Sequence, residues 1–319
     1  MYLNIQYIRA LAAVLVLFAH TFGYTGAQGV DIFFIVSGFI MMNIIYNKEK
    51  SAKEFFIDRF LRIAPLYYIA TAVAIAIGHA NDFSLEHLVH SLLFLKLKWS
   101  SPVLSIGWTL DYEFIFYSVC SLSILFFKHN LFRVIFIVLV LFIGAFILDF
   151  ILFPDKAYGH FIEFALGVGS YFVLTKTSLS NYFKLNVALV IISINLLFIV
   201  DIFIYDTKSL PYRFLGYGVL SAIFCTSFIA LEGKIKKISF IKLIGDASFS
   251  IYIFHTIILH IYYETFNVYR YYSTLSDAIS FILCIALGII IHRKVENNLS
   301  KIIRQKRYEK ANDKINTIA

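Results

Sequence analysis

The stretch YIRALAAVLVLFAH, residues 7–20, determines what kind of protein this sequence encodes. It is almost entirely apolar, but Arg9 stands near its start and His20 at its end, eleven residues later. On an α-helix, eleven residues advance by about three turns plus about 20°. Arg9 and His20 therefore share one helix face and differ in depth by roughly 16 Å, about half the hydrocarbon core of a membrane. Ionisable groups at such depths usually face the protein interior or a water-filled cavity.

The composition of the whole chain indicates a membrane protein. The 319 residues are 60% hydrophobic and 15% charged, whereas a soluble domain is about 45–50% apolar and about 25% charged. Its apolar runs reach helix length and do not form the short alternating segments of a membrane β-barrel. We therefore predict an all-α, polytopic helical bundle, with residues 5–25 retained as the first span and not removed as a signal peptide.

The apolar runs predict about ten membrane-spanning helices. They lie at residues 5–25, 29–46, 63–79, 105–127, 131–150, 159–175, 185–204, 212–231, 244–264 and 276–293. The stretch 84–98 is short for a span, and we interpret it as a re-entrant or interfacial helix. A model with eleven spans is the alternative.

The basic residues predict the orientation of the bundle. Of the 28 Lys and Arg residues, 22 fall on the side that holds the N-terminus. The other six are Lys96, Lys98, Lys156, Lys208, Arg213 and Arg270. The positive-inside rule then puts both termini in the cytoplasm. The net charge of +8 reflects this topology and does not indicate a nucleic-acid partner. We expect one transmembrane domain, residues 1–295, followed by a basic cytoplasmic tail, residues 296–319.

Two readings are open for Arg9 and His20. Arg9 suits a lipid-interface anchor whose long side chain reaches the headgroups, and His20 suits a hydrogen bond between helices. Histidine is also the usual group for proton transfer near neutral pH. Their shared face favours a joint functional role over either reading alone.

Three further charged residues carry candidate chemistry. Arg59 and Arg62 lie three residues apart, so a helix places them on one face. They fit plain positive-inside bias, or a clamp for an anionic ligand, because the guanidinium fork suits phosphates. Glu113 lies in an apolar helix and needs a partner, and Asp111, two residues earlier, does not share its face.

Several other residues are weaker candidates. Asp31, Glu163 and His255 are ionisable residues within or at the ends of predicted spans. Ser37 and Gly38 are small residues that we interpret as packing positions. The histidines are too scattered to predict a metal site. The three cysteines are predicted to be buried thiols; they are Cys120, Cys225 and Cys284.

The motifs, in their order, resemble the bacterial membrane acyltransferase family 3, whose members O-acylate cell-surface carbohydrates. Arg9 and His20 are similar to the arginine, ten residues, histidine arrangement of its first helix. GVDIFFIVSGFIM at 29–41, RFLR at 59–62 and WTLDYE at 108–113 resemble its next three motifs. EFALG and GDASFSIYIFH resemble weaker patterns of its later helices. The resemblance runs from residue 4 to about residue 260. We expect the form that carries no fused extracytoplasmic domain.

This resemblance implies a reaction. Acetyl-CoA is the cytoplasmic acyl donor, no metal is needed, and a hydroxyl of a lipid-linked or polymeric carbohydrate, such as an O-antigen or exopolysaccharide unit, is the acceptor. Arg59 and Arg62 then hold CoA phosphates, with Arg9 assisting. His20 acts as general base or carries the acyl group, and Glu113 orients His20 or stabilises its charge.

The implied location is the bacterial inner membrane. Two alternatives remain at this point. A proton-coupled transporter or flippase of a polysaccharide precursor also uses intramembrane Arg, His and Glu residues, although no two-half repeat is visible. The second alternative is a structural subunit of a polysaccharide-assembly complex. Such a subunit would not require five residues together, namely Arg9, His20, Arg59, Arg62 and Glu113.

Overall fold

The computed structural model describes residues 2–23, 25–80, 83–95, 100–145, 159–204, 214–268 and 273–318. These residues form helices and connecting turns, and the described part contains no strand, so the prediction of an all-α fold is confirmed. The α-helices are α1 Leu3–Phe22, α2 Gln28–Asn47, α3 Ala52–Ala76, α4 Leu85–Leu93, α5 Trp108–Phe126, α6 Asn130–Ile143, α7 His160–Lys176, α8 Phe183–Ile204, α9 Leu220–Ala230, α10 Ser239–Asp246, α11 Ser248–Phe266, α12 Thr274–Ile291 and α13 Asn297–Ile318.

Each of the ten predicted segments contains a helix. Among the described residues, six helices are long and apolar enough to cross a membrane, or seven if the bent pair α10 and α11 forms one span. The third helix begins at Ala52 and not near residue 63, because Ser51 and Glu54 form a capping box there. The count of ten spans and the cytoplasmic placement of both termini remain predictions. The six basic residues assigned to the outer side all lie outside the described residues.

Helices α2 and α7 cross at very short distance because two glycines meet there. A Cβ atom on Gly38 would lie 2.2 Å from the carbonyl oxygen of Phe164, and one on Gly167 would lie 2.1 Å from that of Ile35. Small residues allow helices in membranes to approach in this way. The prediction of Gly38 as a packing residue is confirmed, and α2 is held firmly against α7.

Helices α10 and α11 are bent by 69° relative to each other. Helix α10 packs on the start of α1, where a Cβ atom on Gly245 would lie 2.0 Å from the carbonyl oxygen of Gln6. Helix α11 then runs along α1 and α12. Because of this bend, α10 contacts the start of α1, and α11 contacts α1 along its length.

Residues near both ends of the described chain make polar contacts with distant segments that carry basic residues. The backbone N–H groups of Leu3 and Asn4 donate to the carboxylate of Glu232 at 2.7 and 2.8 Å. In the tail helix α13, Arg307 pairs with Asp58 of α3, which also pairs with Lys50. Segments predicted on the cytoplasmic side thus contact one another.

Helix α4 confirms a short helix within the stretch 84–98, although residues 96–99 lie outside the described residues. Its buried His90 contacts Asp111 of α5, with Nε2 and Oδ2 2.7 Å apart, and contacts Ser100 at 3.1 Å. His90 is thus a polar partner of the buried Asp111 carboxylate. The contact agrees with the prediction that Asp111 does not share the helix face of Glu113. All three cysteines are buried free thiols, as predicted.

Candidate active site

An inner cavity lies between α1, α2, α3, α5 and α11. Its polar lining residues are Arg9, Ser37, Arg62, Thr109, Glu113, Tyr117, Ser248 and Tyr252. Three of the predicted site residues, Arg9, Arg62 and Glu113, therefore meet at one cavity although about 50 residues separate each from the next.

Glu113 is the acidic group among the described residues that line this cavity. The hydroxyl of Ser37 donates to Glu113 Oε1 at 2.8 Å. Tyr117 lies one helical turn after Glu113 and is a second hydrogen-bonding partner. Both Arg9 and Arg62 interact electrostatically with the carboxylate. Glu113 therefore has two hydroxyl partners and two cationic neighbours. Since Ser37 provides one of the hydroxyls, its interpretation as a packing residue alone was wrong.

The three arginines have different surroundings. Arg62 lines the cavity and is exposed. Arg9 lines it too and donates from Nη1 to Gln6 Oε1 at 3.4 Å. Arg59 is not among the described residues that line it, and its Nε is buried without a hydrogen-bond partner. The two arginines predicted as a clamp therefore do not contribute equally to this cavity.

His20 lines a second cavity, the outer cavity. Its other polar or aromatic lining residues are Ser105, Trp108, His160 and Tyr252. The ring of His20 lies 4.8 Å from the ring of His255, whose Nδ1 is 2.6 Å from the carbonyl oxygen of Tyr252. Arg9 and His20, eleven residues apart on α1, thus line two different cavities, as their difference in depth predicts.

Val30 and Tyr252 belong to the lining of both cavities. The Tyr252 hydroxyl lies 2.8 Å from Thr109 Oγ1 and donates to the carbonyl oxygen of Ile106 at 3.2 Å. These bonds fix the tyrosine ring against the start of α5. The two cavities are therefore neighbours that share Val30 and the ordered Tyr252 side chain in their linings.

The structure places Glu113 and His20 in the lining of different cavities. A carboxylate beside a histidine is found instead in α7, where His160 Nδ1 lies 3.1 Å from Glu163 Oε2. Asp31 of α2 adds a second carboxylate to this buried group. The sequence analysis singled out Asp31 and Glu163 but missed His160. The signal was the three-residue spacing of His160 and Glu163, which puts both on one helix face.

Asp31, His160 and Glu163 each offer one oxygen or nitrogen atom, and these atoms lie within 4.8 Å of one another. Such atoms suit a small cation, but they also suit hydrogen bonds and ion pairs among themselves. The contact between His160 and Glu163 is of this second kind.

Comparisons with known proteins show the family of the chain. The family model described as an acyltransferase domain matches residues 2–293. The exopolysaccharide production protein ExoZ of Rhizobium meliloti is 32% identical over 249 residues, which is 72% of this chain and 76% of that protein. The peptidoglycan O-acetyltransferase OatA of Listeria monocytogenes is 35% identical over 80 residues, which is 23% of this chain and 13% of that protein. No solved structure matches.

The matched region contains both cavities and the helices that form them. Several of its helices are long and apolar enough to cross a membrane, as in a multi-pass membrane protein. The chain therefore belongs to acyltransferase family 3 and is an acyltransferase.

Proposed function

We propose that the protein is an O-acetyltransferase that moves an acetyl group from cytoplasmic acetyl-CoA to a hydroxyl of a surface carbohydrate. The observation that carries the proposal is the pair of neighbouring cavities, one with Arg9, Arg62 and Glu113 and one with His20. The names of the two relatives support a carbohydrate acceptor, because they refer to exopolysaccharide production and to peptidoglycan O-acetylation.

The inner cavity suits the acyl donor. CoA carries phosphates, and Arg62 and Arg9 offer guanidinium groups that bind phosphate oxygens with charge-assisted hydrogen bonds. Arg59, next to this cavity on α3, adds positive charge to the same entrance. The carboxylate of Glu113, held by Ser37, compensates the arginine charges while no donor is bound. This side of the bundle then faces the cytoplasm, where the donor is available.

The outer cavity suits the acceptor and the proton transfer. In a direct transfer, His20 takes the proton of an acceptor hydroxyl, the hydroxyl oxygen bonds to the thioester carbonyl carbon, and the carbon–sulfur bond breaks. The leaving thiolate of CoA then takes up a proton. In a relay, the His20 imidazole first bonds to the acetyl carbon and releases CoA, and the acceptor oxygen displaces the imidazole in a second step.

The acceptor is a lipid-linked or polymeric carbohydrate, and the protein lies in the bacterial inner membrane with both termini in the cytoplasm. The charge distribution supports this orientation, because 22 of 28 Lys and Arg residues fall on the predicted cytoplasmic side. Family membership favours group transfer over transport, since a carrier would leave acetyl-CoA intact.

Two measurements test the proposal. Purified protein in lipid vesicles is given acetyl-CoA and host surface glycan from which O-acetyl groups have been removed by mild base. We expect free CoA thiol to appear in a glycan-dependent manner, and mass spectrometry to find new acetyl groups on the glycan. Acetyl-CoA that stays intact in the presence of glycan overturns the proposal.

A third measurement separates the two chemical routes. The protein is incubated with acetyl-CoA labelled in the acetyl group, without glycan, and is then isolated. Label that stays on the wild type and is absent from His20→Ala supports the relay. Glycan-dependent turnover with no label on the wild-type protein supports direct transfer.

A further inference from the structure

His160 is a second histidine in the outer cavity, and neither the reaction above nor the comparisons give it a role. We propose that His160 binds the acceptor, that Glu163 orients its ring, and that Trp108 stacks on the sugar. Together these residues form an acceptor subsite for a neutral, polyhydroxylated ring, which holds one hydroxyl near His20. This inference rests on the proposed function and adds the acceptor-binding residues to it.

The ring of His160 is held rigidly. Its Nδ1 lies 3.1 Å from Glu163 Oε2, one helical turn further along α7. Three aromatic rings surround it, each with its centroid 5.3 Å from the imidazole centroid; they are Phe34, Trp108 and Tyr112. A side chain that is fixed by packing and by a hydrogen bond loses little conformational freedom when a ligand binds. His160 is therefore preorganised, and because its side chain is fully buried, it contacts a ligand only where the wall of the outer cavity opens to admit one.

The lining of the outer cavity matches a sugar better than a charged ligand. Its described lining residues include two histidines, two hydroxyl groups and an indole ring, and none of them is Lys, Arg, Asp or Glu. The inner cavity, by contrast, is lined by two arginines and a glutamate. Ligand sites combine apolar and aromatic walls with a few placed polar groups that fix orientation. Sugar rings present hydroxyls at their edges and C–H groups on their faces, which fit this combination.

Trp108 supplies the flat surface that a sugar face requires. It is partly exposed, it lines the outer cavity, and it lies against His160 with an angle of 42° between the ring planes. A ligand that stacks on Trp108 therefore has its edge near the His160 imidazole. His20 lines the same cavity from α1. One acceptor can contact Trp108 and His160 while it presents another hydroxyl to His20.

The test separates acceptor binding from donor chemistry. His160→Gln, Trp108→Ala and Trp108→Phe are purified in vesicles and assayed for KM toward glycan, KM toward acetyl-CoA and release of CoA without glycan. Loss of one hydrogen bond to the acceptor is expected to raise the glycan KM by about 10- to 100-fold. The acetyl-CoA KM and the glycan-independent release should stay within about twofold of wild type, and Trp108→Phe should keep part of the affinity that Trp108→Ala loses.

Glu163 acts through His160, so its variant has a distinct signature. Glu163→Gln should raise the glycan KM less than His160→Gln does, and the double variant should be no worse than His160→Gln alone, because both changes remove one shared interaction. Additive effects in the double variant would mean that Glu163 has a role independent of His160. His260→Gln is the matched control, since His260 stacks on His79 and is not a described lining residue of either cavity.

A binding assay keeps the inference testable if a variant loses all turnover. The chain has two tryptophans, so Trp99→Phe leaves Trp108 as the fluorescent reporter. Adding de-O-acetylated glycan should change its emission, and His160→Gln in the same background should abolish the change at the same glycan concentration. An unchanged glycan KM and an unchanged fluorescence response in His160→Gln overturn the inference. A wild-type protein that never transfers acetyl to glycan overturns the proposed function instead.

Discussion

The inner and outer cavities are formed by some of the same helices, but they differ in charge. The inner one contains two arginines and a glutamate, and the outer one contains histidines, hydroxyls and a tryptophan. Helix α1 contributes Arg9 to the first and His20 to the second, and α2 contributes Val30 to both. The difference shows how one bundle can offer two chemically distinct sites a few turns apart along the same helices. It also provides a way to test each site separately.

The largest expected effect is that of His20→Ala. Removing a general base lowers turnover by about 10²–10⁴-fold, and removing an acyl carrier would do at least as much. The measurement is glycan-dependent CoA release by equal amounts of protein in vesicles. His260→Ala is the control and should retain turnover. Near wild-type activity in His20→Ala would remove the outer cavity from the chemical step.

Glu113→Gln should have the next largest effect. The change keeps the shape of the side chain but removes the negative charge beside Arg9 and Arg62. Losing hydrogen bonds to a charged group costs about 1.5–3 kcal/mol, so turnover should fall about 10- to 100-fold. The acetyl-CoA KM and kcat are measured together with the thermal unfolding midpoint.

Asp111→Asn is the comparison for Glu113, since Asp111 lies on the same helix and contacts His90 away from the inner cavity. It should lower the unfolding midpoint with a smaller loss of turnover. An equal loss of turnover in both variants would mean that Glu113 acts through stability alone.

Arg62→Ala should affect the donor and leave the acceptor unchanged. Losing a charge-assisted bond to phosphate is expected to raise the acetyl-CoA KM by about tenfold or more, and Arg62→Lys should recover part of that loss. Arg59→Ala should raise the donor KM less, because Arg59 is not among the described residues that line the inner cavity. A larger effect at Arg59 than at Arg62, or a change in glycan KM, would contradict the assignment of this cavity to the donor.

Gly38→Ala should disturb both cavities alike, since α2 carries Ser37 to one and Val30 to both. The added Cβ would lie 2.2 Å from a backbone oxygen of α7, and such overpacking costs about 1–3 kcal/mol. Thermal unfolding in detergent and the KM values for both substrates are the measurements. Gly169→Ala on α7 is the matched control, because nothing lies within 4 Å of its Cβ position. It should be neutral or slightly stabilising.

Sequence patterns predicted the helices well because each is encoded locally, in a run of apolar residues. They also predicted that Arg9, His20 and Glu113 face the protein interior or a cavity, since ionisable groups are costly in lipid. They did not predict the bond between Ser37 and Glu113, because 76 residues separate the two partners. The contacts around His160 were missed for the same reason. Spacing within one helix reveals a shared face, but it does not reveal which other helix meets that face.

The bend between α10 and α11 shows the same limit. It lies beside the close contact of Gly245 with the backbone of Gln6, on a helix at the other end of the chain. The assignment of Glu113 to His20 came from the family resemblance and not from geometry. Which polar groups pair inside a bundle depends on the three-dimensional packing of helices, and a single sequence contains that information only indirectly.

The position of Tyr252 in both cavity linings has an electrical consequence for the proposed reaction. A membrane potential changes the energy of each charge that crosses the membrane by about 2.3 kcal/mol per 100 mV. The acetyl group would leave a thiolate behind at the inner cavity, and the acceptor would give up a proton to His20 at the outer cavity. Transfer between the cavities is therefore electrically neutral only if that proton returns past Tyr252 to the thiolate. In that case a chemical group passes between the cavities with no net movement of charge, and the CoA phosphates stay with Arg9 and Arg62.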